Sequence, residues 1–207
     1  MMTMEDTWTQ PKEIQEIERK RHSNILRMLE VQDLTKIANI LEIGCHVGFS
    51  TYVFLEKGLL KDKKYLGIDI DESSLRKANE KKAEFGWINV RFMKLSLFDI
   101  NRVFSEEFDL VVVEEVLEHL DSINEPLKRI WQALRPHGLL VLSVPYRETM
   151  EQGKRWGHKT YSIDEKEVRE TLKKAGFSSE RLTILDLAWP PPDTPEKVLF
   201  VRARKAD

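Results

Sequence analysis

The segment that decides the fold reads ANILEIGCHVG and covers residues 38–48. Its first six residues are mostly apolar and have the length of a buried strand. Gly44 and Gly48 then bracket a short turn, and a helical pattern follows over residues 49–59. We therefore predict a strand, a glycine turn and a helix in direct succession, as in the first unit of an α/β sheet.

The same alternation of strand and helix continues along the chain. Further strands are expected over residues 65–69, 89–93, 108–113, 139–144, 182–188 and 197–204. Helices are expected over residues 73–85 and 123–134 and from Ser162, which forms a capping-box pattern with Glu165. Because a short loop without a helix joins the last two strands, they should pair antiparallel. The sequence thus predicts an α/β fold with a doubly wound, mostly parallel seven-stranded sheet and an antiparallel C-terminal hairpin.

The length of 207 residues suits a single domain, which we expect to span residues 1–207. Residues 13–30 carry apolar side chains at helical spacing among many charges, and this helix is expected to form an N-terminal appendage over residues 1–35. His22 lies among the charged residues of this helix and is expected to be exposed. Residues 145–162 follow the fifth strand and are predicted to form a substrate-binding lid loop, because long loops are often functional.

The composition argues against several classes of protein. The chain has 33 basic and 35 acidic residues, and this net charge of −2 argues against nucleic-acid binding through an overall basic surface. Cys45 is the single cysteine, which excludes an intramolecular disulfide and a zinc site built from several thiolates. No apolar run approaches the roughly 18 residues of a membrane helix, and residues 1–12 lack the apolar core of a signal peptide. We therefore expect a cytoplasmic protein without a membrane partner.

The glycine turn and a later acidic residue indicate a cofactor site. Asp69 ends the second predicted strand, about 20 residues after the turn, where a carboxylate can hold a ribose diol. His46 stands where a dinucleotide fingerprint needs its middle glycine, and no G-K-[ST] follows, so NAD, FAD and a P-loop are disfavoured. S-adenosylmethionine contains no phosphate and tolerates a side chain there. Together with Glu42, these features favour a turn that binds S-adenosylmethionine over a turn that only connects the strand to the helix.

Four motifs, in this order, resemble the class I S-adenosylmethionine-dependent methyltransferases, and the resemblance covers residues 36–205. They are LEIGC at 41–45 with Gly48, GID at 67–69, FDLV at 108–111 and LRPHGLL at 134–140. The resemblance implies that the glycine turn surrounds the methionine part of the cofactor, that Asp69 holds the ribose and that Ser96 and Leu97 flank the adenine. The other cofactor-binding residues that it implies are Glu42, Gly44, Cys45, His46, Gly48, Ile70 and Glu114.

A stretch of carboxylates and a histidine, EEVLEH at residues 114–119, directly follows the fourth strand. If it forms the first turn of a helix, Glu115, Glu118 and His119 share one face and suit a divalent ion such as Mg or Mn. Such an ion lowers the pKa of a hydroxyl that it binds. The same residues could instead cap a helix or form local hydrogen bonds. The Glu-x-x-Glu-His pattern resembles the O-methyltransferases of ubiquinone biosynthesis and the enzymes that methylate the terminal 2′-hydroxyl of small RNAs.

His158 lies in the segment WGHKTY, residues 156–161. The resemblance to the small-RNA enzymes implies that it completes the metal site with Glu115, Glu118 and His119. It could also be a general base, since histidine titrates near neutral pH, or an ordinary loop residue. His119 and His158 are therefore the candidate catalytic residues.

The methyl acceptor is expected to contact the N-terminal helix and residues 145–162. That segment could grip an RNA end or hold a small molecule through its basic and aromatic residues Tyr146, Arg147, Lys154, Arg155 and Trp156. Because the net charge is slightly acidic, we favour an S-adenosylmethionine-dependent O-methyltransferase that acts on a small hydroxylated metabolite. A metal-dependent 2′-O-methyltransferase of the 3′ end of small RNA is the second hypothesis. A cofactor-binding sensor or inactive partner subunit is the third.

Overall fold

The computed structural model describes residues 6–30, 33–160, 163–189 and 194–206. Its strands are β1 Asn39–Ile43, β2 Lys64–Asp69, β3 Val90–Lys94, β4 Phe108–Glu114, β5 Leu134–Pro145, β6 Phe177–Trp189 and β7 Thr194–Lys205. They form a seven-stranded sheet in the order β3-β2-β1-β4-β5-β7-β6. Neighbouring strands from β3 to β5 are parallel, whereas β7 is antiparallel to both β5 and β6. This topology confirms the predicted mostly parallel sheet with an antiparallel C-terminal hairpin.

Helices cover both faces of the sheet. They are α1 Lys12–Leu29, α2 Phe49–Glu56, α3 Glu72–Phe85, α4 Asn124–Ala133, α5 Met150–Trp156 and α6 Glu165–Lys174. On β4, Val111 and Val113 belong to one apolar cluster, and Leu110 and Val112 belong to another. Because successive side chains of a strand point to opposite faces, β4 is buried on both sides, as its continuous apolar sequence requires. Among the described residues, no helix combines the length and apolarity needed to cross a membrane.

The topological switch point of the sheet lies between β1 and β4. β1 has β2 on one side and β4 on the other, and Ile43 pairs with Ile68 and with Val113. The carboxyl ends of these strands therefore lie at one level of the same edge. Ligands of open α/β sheets bind outside the carboxyl ends of the strands at such a point.

The helix α1 packs into the core, where an appendage was expected over residues 1–35. Ile25, Met28 and Leu29 are at most 1% exposed and belong to the apolar cluster that includes Leu110 of β4. The apolar side chains of α1 therefore lie on one face of the helix and pack against the sheet, which explains its amphipathic pattern. The helix is an integral layer of the domain.

Strand β5 begins at Leu134, directly after α4, and so starts earlier than the expected residue 139. Its register against β4 shifts between Phe108 and Leu110, where the described residues 136–138 have no partner on β4. His137 has a φ of +62° within this irregular stretch. Between the paired positions on either side of this shift, β4 advances by two residues and β5 by five, from Leu134 to Leu139, so β5 accommodates three extra residues without ending.

The segment 145–162 contains the helix α5, although a loop was expected there. The side chain of Thr149 accepts a hydrogen bond from the backbone of Gln152, whose side chain bonds back to the Thr149 backbone. This Thr-x-x-Gln capping box is the sequence signal that would have predicted α5. The next helix, α6, is capped by Asp164. The predicted cap Ser162 lies outside the described residues.

Candidate functional site

The glycine turn, residues 44–48, leaves the carboxyl end of β1 and owes its shape to its backbone. Gly44, His46 and Gly48 have positive φ angles of 78°, 45° and 75°. Such angles favour glycine, and a Cβ on Gly44 would also collide with Cγ2 of Val116. Both predicted glycines are therefore required by the conformation of the turn.

Asp69, at the end of β2, braces the glycine turn. Its Oδ2 accepts a hydrogen bond from the backbone N–H of His46 at 2.9 Å, and its Oδ1 accepts one from the backbone N–H of Asp71 at 2.9 Å. The backbone N–H of Gly44 donates to the carbonyl oxygen of Ile68 at 2.8 Å. Each carboxylate oxygen can accept a further hydrogen bond, so Asp69 keeps capacity for a ligand. It therefore has a structural role in addition to the ribose contact predicted for it.

Glu42 lies on β1 just before the glycine turn and is 2% exposed. Burial and the nearby charge of Glu114 raise the pKa of this carboxyl well above its ordinary value, against a hydrogen bond with Ser50 that lowers it. Among the described residues, its Oε2 has no hydrogen-bond partner. Because a buried polar atom without a partner is costly, this oxygen is suited to a polar group of a ligand.

Cys45 and His46 have different roles within the glycine turn. The Sγ of Cys45 fills space that Gly67 leaves open, since a Cβ there would lie 2.9 Å from the sulfur. Burial, followed by the charges of Glu42 and Asp69, raises the pKa of the Cys45 thiol well above its ordinary value. The thiol is therefore a packing group and not a nucleophile. Burial also lowers the pKa of His46, against the opposing charge of Asp69, which favours a neutral ring.

Ser96 and Leu97, predicted to flank the adenine, follow β3, and Ile70, predicted to bind the cofactor, follows β2. Ile70 is 70% exposed, and Leu97 is buried. Ser96 caps a 3-10 turn over Leu97–Arg102, and its Oγ accepts a hydrogen bond from the backbone N–H of Phe98 at 3.2 Å. Phe98, which sequence reasoning did not identify, is 46% exposed in this 3-10 turn. An aromatic residue directly beside the predicted adenine segment was the available signal.

His22 of α1 is buried against the end of β4, so its expected exposure is wrong. The residue is 7% exposed, and its Nδ1 lies 3.1 Å from both carboxylate oxygens of Glu114. Its Nε2 lies 3.4 Å from Oε2 of Glu18. The pattern of α1 could not reveal this burial, because the partner that permits it belongs to a distant strand. Through His22, α1 reaches the edge where Glu42 and Glu114 lie.

The segment before α1 forms part of the wall around the glycine turn. Trp8 Nε1 donates to the carbonyl oxygen of Val47 at 2.9 Å. The Trp8 ring packs edge-on against Phe49 and Tyr52, with centroid distances of 5.0 and 5.4 Å. Sequence reasoning did not identify Trp8, because an isolated tryptophan outside a periodic segment gives no local signal.

Glu118, His119 and His158 form a second group, the histidine cluster, on segments that follow β4 and β5. One potential ligand atom from each residue lies within 4.8 Å of the others. Glu118 is fully buried and His158 is 8% exposed. The rings of His119 and His158 meet edge to face with centroids 4.9 Å apart. The structure thus brings together three of the four predicted metal ligands.

Backbone hydrogen bonds join the two segments that form the histidine cluster. The N–H groups of Lys159 and Thr160 donate to the carbonyl oxygen of Glu118 at 2.7 and 3.1 Å. The hydroxyl of Thr160 donates to the carbonyl oxygen of Leu120 at 2.8 Å. His158 is therefore held beside His119 by the fold and not only by its own side chain.

Glu115 lies outside the histidine cluster, and the helical turn expected over residues 114–119 is wrong. A 3-10 turn spans Leu117–His119, and α4 begins only at Asn124. Glu115 has a φ of +50°, and its Oε1 accepts a hydrogen bond from the hydroxyl of Ser143 at 2.8 Å. Because i and i+3 residues share a face only in a continuous helix, the turn at Glu115 breaks the expected arrangement. The remaining ligand set is one carboxylate and two imidazoles.

Each histidine of the cluster has a polar partner for its ring. Nδ1 of His158 lies 2.7 Å from Oε2 of Glu148, and the two side chains are 7% and 9% exposed. Burial and the neighbouring His158 lower the pKa of His119, although a hydrogen bond with the backbone of Gly157 opposes this shift. A lowered pKa favours the neutral ring, whose second nitrogen can accept a proton or bind a metal.

The basic and aromatic residues of segment 145–162 are described in part. Arg147 is exposed, and its guanidinium carbon lies 5.1 Å from the centroid of the Tyr146 ring. Lys154 is exposed on α5. The side chains of Arg155 and Trp156 lie outside the described part of the chain. Acceptor binding by this segment therefore stays a prediction.

Known proteins share this sequence pattern. A family model described as a methyltransferase domain matches residues 41–140. Nodulation protein S of Rhizobium tropici is 33% identical over 150 residues, which cover 69% of this chain and 56% of that protein. The ubiquinone biosynthesis O-methyltransferase of Pseudomonas fluorescens (strain Pf0-1) is 25% identical over 123 residues, which cover 58% of this chain and 51% of that protein. The chain thus spans about half the length of these curated relatives.

A solved structure shares the architecture of the whole chain. A Galdieria sulphuraria protein assigned as a sarcosine dimethylglycine methyltransferase aligns with a TM-score of 0.74 over 100% of this chain and 92% of that chain. At 14% identity this likeness concerns the fold alone. The matched domain, however, includes the glycine turn, Asp69 and the first two residues of the histidine cluster. The family match over residues 41–140 and these relatives support a class I S-adenosylmethionine-dependent methyltransferase.

Proposed function

We propose that this chain transfers the methyl group of S-adenosylmethionine to a hydroxyl oxygen of a small metabolite. The observation that carries the proposal is the gathering of Glu118, His119 and His158 on the segments that follow β4 and β5. Buried titratable groups near a cofactor site suit proton removal from an acceptor, whereas a sensor does not need them. The ubiquinone biosynthesis O-methyltransferase among the relatives supports transfer to oxygen.

The residues around the glycine turn fit the methyl donor. Bound S-adenosylmethionine supplies a methyl group that its positively charged sulfur has already activated. Glu42 and the backbone of the turn would hold the methionine part, since a positive ligand favours the ionised form of the buried Glu42 carboxyl. Asp69 would hold the ribose. Ile70, Ser96 and Leu97 would line the adenine site.

The histidine cluster would act on the methyl acceptor. The hydroxyl loses its proton as the oxygen–carbon bond forms and the carbon–sulfur bond breaks, which releases S-adenosylhomocysteine. His119 or His158 would take that proton on the ring nitrogen that its polar partner leaves free. The lowered pKa of His119 favours the neutral form that a base requires. Glu118 would stabilise the resulting positive ring, which returns its proton to solvent.

Metal-assisted transfer is a second candidate mechanism, because the donor atoms of the histidine cluster also fit a divalent ion. With Glu115 turned away, the set contains two imidazoles and one carboxylate. It suits Mn²⁺ better than Mg²⁺, since Mg²⁺ prefers oxygen ligands. Glu118, His119 and His158 would hold the ion, which would supply a Lewis acid for the acceptor oxygen.

A small acceptor suits the chain better than the 3′ end of an RNA. The net charge is −2, and Glu42, Glu114 and Glu118 add buried carboxyl groups near the carboxyl edge of the sheet. Affinity for a phosphate backbone depends on basic side chains that neutralise it. A hydroxylated metabolite without phosphate avoids this unfavourable electrostatic interaction.

The test uses S-adenosylmethionine with a labelled methyl group and a panel of phenols, catechols, aliphatic alcohols and short RNAs. We expect S-adenosylhomocysteine and a labelled methyl ether from at least one small hydroxylated acceptor. Turnover by chelator-treated protein would support the histidine base, whereas turnover that returns only with Mn²⁺ would support the metal. Labelling of RNA alone would contradict a small acceptor, and donor binding without turnover across the panel would favour a sensor.

A further inference from the structure

Glu148 and His158 lie just beyond the two ends of α5, and their side chains meet. Glu148 precedes the capping residue Thr149, and His158 follows Gly157, which ends the helix with a φ of 77°. Oε2 of Glu148 lies 2.7 Å from Nδ1 of His158, with side chains that are 9% and 7% exposed. A short, buried contact of this kind is typical of a hydrogen bond that involves a charged group.

The backbone holds both partners in place. Arg147, directly before Glu148, donates its backbone N–H to the carbonyl oxygen of Ile163 at 2.9 Å. The backbone N–H of His158 donates to the carbonyl oxygen of Gly153 at 2.9 Å. Glu148 is therefore presented to the ring from a fixed position, so the hydrogen bond can determine how the ring is protonated.

The chemistry of the two groups determines which ring nitrogen carries the hydrogen. An ionised carboxylate only accepts hydrogen bonds, whereas a neutral imidazole has one donor nitrogen and one acceptor nitrogen. An ionised Glu148 can only accept at its 2.7 Å contact with Nδ1 of His158, so a neutral ring meets it with the hydrogen on Nδ1 and the lone pair on Nε2. We propose that Glu148 is a positioning residue that holds His158 in the form protonated at Nδ1 and leaves Nε2 as its reactive nitrogen.

The consequence for turnover rests on the proposed function, whereas the protonation form of the ring does not. A general base and a metal ligand both need a lone pair on a defined nitrogen. Carboxylates that orient such histidines fix the ring and raise its basicity. Glu148 would serve either mechanism of the histidine cluster without contacting the acceptor itself.

The direct test is nuclear magnetic resonance of ring nitrogens in protein labelled with ¹⁵N at its five histidines. Spectra are recorded at a pH where the rings are neutral, and His158→Gln assigns the His158 signals. We expect protonated Nδ1 in the wild type and in Glu148→Gln, whose amide oxygen can still accept, and a mixture of both forms in Glu148→Leu. A wild-type His158 protonated at Nε2 would overturn the proposal, as would an unchanged His158 spectrum in Glu148→Leu.

Turnover provides a second readout with a matched control. Glu148→Leu should lower kcat about 10–100-fold without changing KM for S-adenosylmethionine, and Glu148→Gln should recover most of the loss. Glu80→Gln, at an exposed position of α3 outside segment 145–162, should behave as the wild type. A raised KM with unchanged kcat, or equal losses in both Glu148 variants, would contradict the positioning role. If the wild type shows no turnover, the proposed function fails while the ring spectra still test the inference.

Discussion

The glycine turn and the histidine cluster lie near the same edge of the sheet but are built in different ways. The turn is one contiguous stretch, shaped by positive φ at Gly44 and Gly48 and braced by Asp69. The histidine cluster joins two segments, which backbone hydrogen bonds to the carbonyl of Glu118 hold together. The turn therefore depends on local backbone conformation, and the cluster depends on tertiary structure.

This difference predicts that the two regions fail separately. Donor binding needs a fixed backbone, so a change of conformation in the glycine turn should lower affinity. Proton removal needs particular side chains, so a substitution in the histidine cluster should lower turnover and leave donor binding intact.

The largest effect is expected from His158→Gln. The change removes a nitrogen that can accept a proton or bind a metal, so kcat should fall about 10²–10⁴-fold while KM for S-adenosylmethionine is unchanged. Steady-state kinetics on an identified acceptor measure both values. His137→Gln, at an exposed position, is the matched control and should change neither. A parallel loss of donor binding in His158→Gln would show that the two regions are not separable.

Gly44→Ala should act mainly on the donor. The new Cβ would be strained at a φ of 78° and would collide with Val116, at a cost of about 1–3 kcal/mol. Affinity for S-adenosylhomocysteine should fall at least about 10-fold by calorimetry. Gly58→Ala is the matched control. It introduces a Cβ at a similar φ of 80°, but no atom lies within 4 Å of that Cβ. Equal donor affinity in the two variants would argue against a role for the turn.

A smaller effect is expected at His22, which links α1 to Glu114. In His22→Ala the buried Glu114 loses its histidine partner, so the free energy of unfolding should fall by about 1–3 kcal/mol in urea denaturation. The double variant with Glu114→Gln should lose less than the sum of the two single changes, because both single changes disrupt the same contact. Strictly additive losses would indicate that the pair is not coupled.

The smallest effect is a pH dependence of stability at Glu42. Because its pKa is raised in the folded chain, stability is fully present below the pKa of the unfolded carboxyl and declines as pH rises toward the folded pKa. Glu42→Gln removes this penalty and should stabilise the donor-free protein by about 1 kcal/mol at pH 8, with a smaller gain near pH 4. Urea denaturation at both pH values measures the difference in unfolding free energy between Glu42→Gln and the wild type. A difference in unfolding free energy that stays constant with pH would contradict the raised pKa of Glu42.

The parts of the molecule that follow from local sequence were predictable. Alternating apolar segments and helical patterns predicted the sheet and its antiparallel end, because periodicity reports the faces that must be buried. The spacing of Gly44 and Gly48 after an apolar strand predicted the glycine turn, because positive φ angles favour glycine. Asp69 was predictable because the end of the second strand lies beside that turn in this type of sheet.

The parts that depend on tertiary contacts were not predictable. Glu115 was included in the metal site because its spacing suits an α-helix, whereas the chain turns sharply at that residue. His22 was expected to be exposed because its partner, Glu114, lies 92 residues away in the sequence. Glu148 was missed because it meets His158 only when α5 forms between them.

The most direct test of the separation between donor binding and acceptor chemistry is a calorimetric titration with S-adenosylhomocysteine. The wild type, His158→Gln and Gly44→Ala are titrated under the same conditions. We expect one binding site with equal affinity in the wild type and His158→Gln, and weaker binding in Gly44→Ala. Absence of binding to the wild type, or an equal loss of affinity in both variants, would contradict a donor site at the glycine turn that is separate from the histidine cluster.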